Sequence, residues 1–114
     1  MSMEISARNE GCLCVVSVQE ARIDAAVALA FKEAMRKATD GGQSDVVLDL
    51  QQVEFIDSSG LGAIDATMKF LAPQRALILA GLTAGVEKVF KLTRMDSVFS
   101  VYTTLDQALM AQSD

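Results

Sequence analysis

Short apolar runs alternate with amphipathic helical patterns along this chain. Residues 13–18, 45–50 and 76–80 are apolar runs of strand length. Residues 25–38 instead repeat apolar side chains three and four apart, with charged residues on the other face, which is typical of a helix packed on a core. Strands that alternate with helices predict an α/β fold with a central sheet.

Polar residues and glycines mark the predicted ends of the helices. Asp24 stands just before the first helical pattern and is predicted to be its N-cap, and Gly41 and Gly42 follow its last turn. A second helix is predicted to begin at Ser58 or Ser59 and to end before Pro73. Further along, Thr83 is predicted to cap a third helix, and a short strand over residues 98–101 precedes a last helix over residues 104–111.

The chain length fits one domain. A protein of 114 residues buries roughly two-thirds of its unfolded surface around a single core. No linker or internal repeat divides the sequence. We therefore expect a single domain over residues 1–114.

The charge of the chain excludes several classes of partner. The net charge is -5 and the pI is about 4.6, whereas binding to nucleic acid or to an anionic membrane surface needs clustered Lys and Arg. A basic protein surface is weakly favoured as a partner. No window reaches the roughly 20 apolar residues of a membrane span, and the first residues lack the pattern of a leader. We expect a cytoplasmic protein that does not insert into a membrane.

Two features limit the catalytic and metal-binding chemistry: there is no His, and there are only two cysteines. Without His, imidazole base catalysis and the common zinc sites are excluded. Cys12 and Cys14 are two apart in an apolar run, so on a strand they would share one face. We expect both to be buried, reduced thiols. We also expect no metal, no cofactor and no enzymatic activity, because no pair of nucleophile and base is recognisable.

The segment over residues 53–62 allows two interpretations. Gly60 and Gly62 fall in the first turns of the predicted second helix, where each costs about 1 kcal/mol relative to Ala. Small residues there would leave serine hydroxyls open to a kinase or another protein. Alternatively, Asp57 or Ser58 is only an N-cap and the glycines allow tight packing. A phosphate-binding loop is disfavoured because no Lys accompanies the glycines. From the residues alone, both main interpretations stay open.

Three stretches in order resemble the STAS domain family, and within it the bacterial anti-sigma factor antagonists. They are V-V-L-D-L-x-x-V-E-F-I-D-S-S-G-L-G at residues 46–62, L-I-L-A-G-L at 77–82 and V-E-K-V-F-K-L-T-R-M-D-S-V-F-S-V-Y at 86–102. The resemblance covers about residues 3–111. It implies a single STAS domain with a central mixed sheet of about four or five strands and about four helices.

The resemblance also implies a functional surface. The family's phosphorylated residue directly follows the Asp of the D-S-S/T-G-L motif, which corresponds to Ser58, with Ser59 as second choice. An Asp before the first helix belongs to the family's kinase-binding surface, and Asp24 matches that position. The resemblance thus implies that a partner contacts Asp24, Asp57, Ser58, Ser59, Gly60, Leu61 and Gly62.

The function implied is partner switching. The unphosphorylated protein would bind an anti-sigma factor that is also a serine kinase and so release that regulator's target, and phosphorylation of Ser58 would end the binding. A phosphatase of the PP2C type would restore the active form. The alternative is a constitutive STAS subunit of a lipid-transport or other transporter complex, in which the serines only pack.

Overall fold

The computed structural model describes residues 3–112, and in that range the chain forms seven strands and four α-helices. The strands are β1 (Ile5–Glu10), β2 (Leu13–Val18), β3 (Arg22–Ile23), β4 (Asp45–Asp49), β5 (Phe55–Ile56), β6 (Leu77–Ala80) and β7 (Ser100–Tyr102). The helices are α1 (Ala28–Thr39), α2 (Ser58–Leu71), α3 (Ala84–Leu92) and α4 (Leu105–Gln112), with a 3₁₀ turn at Met95–Ser97.

The central sheet is mixed, as the family resemblance implied. Its five strands lie in the order β1-β2-β4-β6-β7. The pair β1–β2 is antiparallel, and every other neighbouring pair in this sheet is parallel. The prediction of a mixed sheet of four or five strands with about four helices is therefore confirmed.

Successive residues of the inner strands point to opposite faces of the sheet, and each face has its own core. On one face, Val16, Leu48 and Leu79 are in register and belong to the larger core, which also contains the helix residues Phe31 and Phe90. Val15, Val47 and Ile78 are in register on the other face and form a smaller core with Ala108 of α4. Burial on both faces explains why these strands are continuous apolar runs.

The prediction that Asp24 caps the first helix is wrong. Helix α1 begins four residues later, at Ala28, and its N-cap residue Val27 makes no side-chain cap hydrogen bond. Asp24 instead accepts a hydrogen bond at Oδ1 from the N–H of Ala26, at 3.1 Å. The carboxylate therefore closes a turn that redirects the chain from β3 into α1.

The prediction for the two cysteines is half right. Cys14 is buried in β2, but Cys12 is exposed in the two-residue connection between β1 and β2. Gly11 adopts a positive φ of 61° there, as a tight hairpin turn requires. Cys12 is a turn residue and not a strand residue, so the two thiols do not share a buried face.

Candidate functional site

A short parallel pairing outside the main sheet brings the approaches to α1 and α2 together. In the pair β3–β5, Arg22 aligns with Phe55 and Ile23 with Ile56. The backbone N–H of Asp57 continues this contact by donating to the carbonyl oxygen of Ile23, at 3.4 Å. The segments that lead into the two helices are consequently held side by side.

The carboxylate of Asp57 joins these two segments. Its Oδ1 accepts from the N–H of Gly60 at 2.9 Å, which makes Asp57 the N-cap of α2. Its Oδ2 accepts from the N–H of Ala25 at 3.1 Å, in the turn before α1. The capping role that the sequence left open is thus confirmed for Asp57, together with a second role in fixing the neighbouring turn.

These hydrogen bonds favour the ionised form of the Asp57 carboxylate. The N–H of Gly60 lowers the pKa of Asp57 below its ordinary value, because it stabilises the charged form. Partial burial acts in the opposite direction, and the N–H groups of Ala25 and Ser59 add to the lowering. At neutral pH a fixed negative charge therefore lies beside the first turn of α2.

The two glycines of α2 have different environments. A Cβ on Gly60 would overlap the carbonyl oxygen of Ile23, so α2 can lie against β3 only because this position carries no side chain. A Cβ on Gly62 would meet no atom within 4 Å. Gly60 is thus required by the close contact between backbones, whereas Gly62 leaves a shallow place on the helix surface.

Ser58 and Ser59 are exposed residues in the first turn of α2. Within residues 3–112, neither hydroxyl has a hydrogen-bond partner. The Asp57 carboxylate already serves as the cap, so neither serine side chain is needed to start the helix. Both hydroxyls are therefore sterically available to an approaching enzyme.

The predicted site residues differ in how deeply they are buried. Asp24 and Asp57 are half-buried, and Ser58, Ser59 and Gly62 form the surface. Gly60 and Leu61 are buried beneath it, with Leu61 in the larger core. Asp24 lies next to this surface because the N–H of the following residue, Ala25, donates to Asp57, and Asp24 does not cap a helix.

Two residues at the rim of this surface were not predicted from the sequence. The guanidinium carbon of Arg22 lies 4.4 Å from the centre of the Phe55 ring, and Arg22 Nε donates to Asp24 Oδ2 at 3.1 Å. Phe55 is 41% exposed. Both residues belong to two-residue strands, which are too short to show the alternation of a strand in sequence.

Two negative findings apply to residues 3–112. No group of three or more Cys, Asp or Glu side chains is arranged to hold a metal ion. None of the helices combines the length and the apolar character needed to cross a bilayer.

Comparison with known proteins identifies the family of this fold. The sequence model of the STAS domain matches residues 4–108. The fold matches an anti-sigma factor antagonist from Mycobacterium paratuberculosis with a TM-score of 0.86 and 30% identity, covering 99% of this chain and 96% of that one.

Two more distant proteins share the fold. SpoIIAA, an anti-sigma factor antagonist and Bacillus cell fate determinant, has been solved in an unphosphorylated form (TM-score 0.71, 19% identity, 93% of each chain) and in a phosphorylated form (0.66, 16%, 96% of this chain and 100% of that one). A murine anion transporter of the solute carrier 26 family matches with a TM-score of 0.78 at 17% identity, over 94% of this chain and 19% of that one.

Proposed function

This chain belongs to the STAS domain family, and from that premise we propose that it is an anti-sigma factor antagonist regulated by phosphorylation of Ser58. The unphosphorylated form binds an anti-sigma factor that is also a serine kinase, and so releases the target of that regulator. The observation that carries the proposal is an exposed serine hydroxyl in a helix turn that a neighbouring carboxylate already caps. Similarity to anti-sigma factor antagonists supports the same function.

The proposed switch changes charge at a surface that stays folded. The kinase transfers a phosphoryl group from ATP to Ser58 Oγ, the hydroxyl proton leaves and ADP is released. The phosphoserine carries about -1.5 to -2 charges at neutral pH. A helix N-terminus favours an anion by roughly 0.3 to 2 kcal/mol, although the fixed charge of Asp57 offsets part of this. The fold is therefore expected to tolerate the modification.

Binding responds differently from folding. In an interface the added charge must be desolvated, and where the partner presents carboxylates the juxtaposed like charges cost several kcal/mol. Each 1.4 kcal/mol is about tenfold in affinity, so phosphorylation lowers affinity by orders of magnitude. Hydrolysis of the phosphoserine by a PP2C-type phosphatase would restore the hydroxyl and with it the capture of the partner.

Ser58 is the proposed acceptor, and Ser59 is the second choice. Both are exposed, so exposure does not separate them. The family motif separates them, because its acceptor directly follows the Asp that corresponds to Asp57. Asp24, held by Arg22 at the rim, is proposed as part of the surface that the kinase contacts.

A second candidate function is a constitutive subunit of a transporter complex. The similarity in fold to a domain of the murine anion transporter favours it. In that case the serines carry no phosphate. Neighbouring genes discriminate between the two: a serine kinase and a PP2C-type phosphatase support the switch, whereas a transporter ATPase and permease support the subunit.

Affinity capture from the native host tests the proposal. The Ser58→Ala protein is expected to retain a serine kinase that mass spectrometry identifies, and the Ser58→Asp protein is expected to lose it. The Ser59→Ala and Ser59→Asp proteins are the matched controls, and both should retain it. Circular dichroism should show all four to be folded like wild type. Equal capture of the kinase by the Ser58→Ala and Ser58→Asp proteins would contradict the proposed phosphoswitch.

A further inference from the structure

A shallow groove of about 60 Å³ lies between α1 and α2. Its floor contains the buried side chains of Met35 and Thr67. Its walls are Lys32 and Arg36 from α1 and Ala66 and Phe70 from α2. Phe70 is 46% exposed, so the groove includes an apolar ring that is open to solvent.

The charge of the groove differs from that of the whole chain. The net charge of the protein is -5, yet no acidic side chain lines the groove. In the described range, no carboxylate lies within ion-pair distance of Lys32 or Arg36. The guanidinium carbon of Arg36 lies 4.7 Å from the centre of the Phe70 ring.

Two carboxylates are close to the groove in sequence without lining it. Asp65 of α2 is bound to Lys69, whose Nζ lies 3.0 Å from Asp65 Oδ2. Glu33 of α1 is exposed and follows Lys32 in the chain. Within residues 3–112, the groove therefore presents an aromatic ring together with two cationic side chains that have no ionic partner.

The groove is continuous with the serine surface. Ser59, Gly62, Ala66 and Phe70 are spaced three, four and four apart in α2, which places them on one face of the helix. The first three are small, and space is open around Gly62. A flat strip thus leads from the first turn of α2 to Phe70.

We propose that this strip and groove are the docking surface for an acidic amphipathic helix of the partner protein. A groove between two helices accepts the ridge of a third. An apolar side chain of that helix packs on Phe70, and its carboxylates pair with Lys32 and Arg36. This inference rests on the proposed function and names the chemistry of its partner: an acidic segment over α2 would also be repelled by a phosphate on Ser58.

Site-specific photo-crosslinking in the native host tests the docking surface. Phe70 is replaced by p-benzoylphenylalanine, and Leu92 of α3, which is 75% exposed, is replaced in the control. Irradiation is expected to give an adduct from position 70 and none from position 92. Mass spectrometry of the crosslinked peptide should identify a helical segment of the partner that carries net negative charge.

Charge reversal tests the ionic part of the proposal. Combining the position-70 probe with Lys32→Glu and Arg36→Glu should lower the adduct yield at least tenfold. Lys88→Glu with Arg94→Glu, two exposed cations on and after α3, is the matched control and should leave the yield unchanged. Circular dichroism checks that each variant is folded.

Three outcomes would contradict the proposed docking surface: no adduct from position 70, an adduct that charge reversal leaves unchanged, or a crosslinked peptide that is basic or comes from a second copy of this chain.

Failure of the docking surface can be distinguished from failure of the phosphoswitch. Loss of the switch appears as capture by Ser58→Asp with the position-70 adduct intact. Loss of this surface appears as no adduct while Ser58→Asp still abolishes capture.

Discussion

The starts of α2 and α3 are built from similar residues but held in different ways. At α3, the hydroxyl of the N-cap residue Thr83 turns inward and donates to the carbonyl oxygen of Val53 at 2.7 Å, so it does not cap the helix. At α2, the carboxylate of Asp57 caps the helix and binds the turn before α1.

The difference shows what each helix start is available to do. The hydroxyl of Thr83 ties the start of α3 to the loop before β5 and is therefore not available for another contact. The start of α2 is held by Asp57 and by the backbone contact at Gly60, so the side chains of Ser58 and Ser59 are not needed to hold it. A serine that the fold does not use can be modified without loss of the fold.

The largest effect on stability is expected at Gly60. Gly60→Ala places a Cβ against the carbonyl oxygen of Ile23, and overpacking against backbone should destabilise the protein by about 3 kcal/mol. Urea denaturation measures the loss. A Gly60→Ala protein as stable as wild type would show that the contact between α2 and β3 does not hold this helix start in place.

A smaller loss is expected at the start of α3. Thr83→Val keeps the shape of the side chain but leaves the Val53 carbonyl without its hydroxyl donor, which should cost about 1 kcal/mol. Partner capture should be unchanged, because this hydroxyl is used in the contact with Val53 and is not part of the proposed partner surface. A Thr83→Val protein that is folded but loses the partner would erase the distinction between the two helix starts.

Gly62→Ala should stabilise the protein, in contrast to Gly60→Ala. The added Cβ meets open space, so the gain in helix propensity should stabilise the protein by about 0.5 to 1 kcal/mol. Thermal unfolding of the Gly62→Ala and Gly60→Ala proteins measures both effects, and the two substitutions form a matched pair only two residues apart. Destabilisation by Gly62→Ala would mean that the helix surface at this position is covered in the folded chain.

The smallest effect concerns pH. Because the pKa of Asp57 is lowered in the folded state, its stabilising contribution is fully present above the unfolded pKa of about 3.9 and is lost as pH falls through the folded pKa. Wild type should therefore exceed Asp57→Asn in stability at pH 7, and the difference should shrink below about pH 4. Urea denaturation of both proteins at pH 7 and pH 3 measures it. A difference independent of pH would show that the charge of Asp57 is not involved.

Much of the sheet and the helices could be predicted because their signals are periodic and long. The continuous apolar runs gave β2, β4 and β6, and the spacing of apolar residues gave α1 and α2 within a few residues. The family motif identified the serine segment, and the capping role of Asp57 was one of two interpretations that its position allowed.

The remaining errors come from contacts between distant parts of the chain. The strands β3 and β5 are two residues long and form only because they pair with each other, so Arg22 and Phe55 carried no local signal. Asp24 has the residue type of a cap, but the turn out of β3 delays the helix to Ala28. Cys12 looked like a strand residue because it is the first residue of an apolar run, directly after Gly11 of the hairpin turn.

The central claim is that phosphorylation of Ser58 changes binding and not folding. The most direct test is isothermal titration of the captured kinase with the full chain carrying phosphoserine at position 58, beside the unmodified chain and one with phosphoserine at position 59. We predict a melting temperature close to that of the unmodified chain and a Kd at least about 100-fold weaker for the position-58 form alone. An unchanged Kd at position 58, or a phosphorylated chain that no longer folds, would contradict the account.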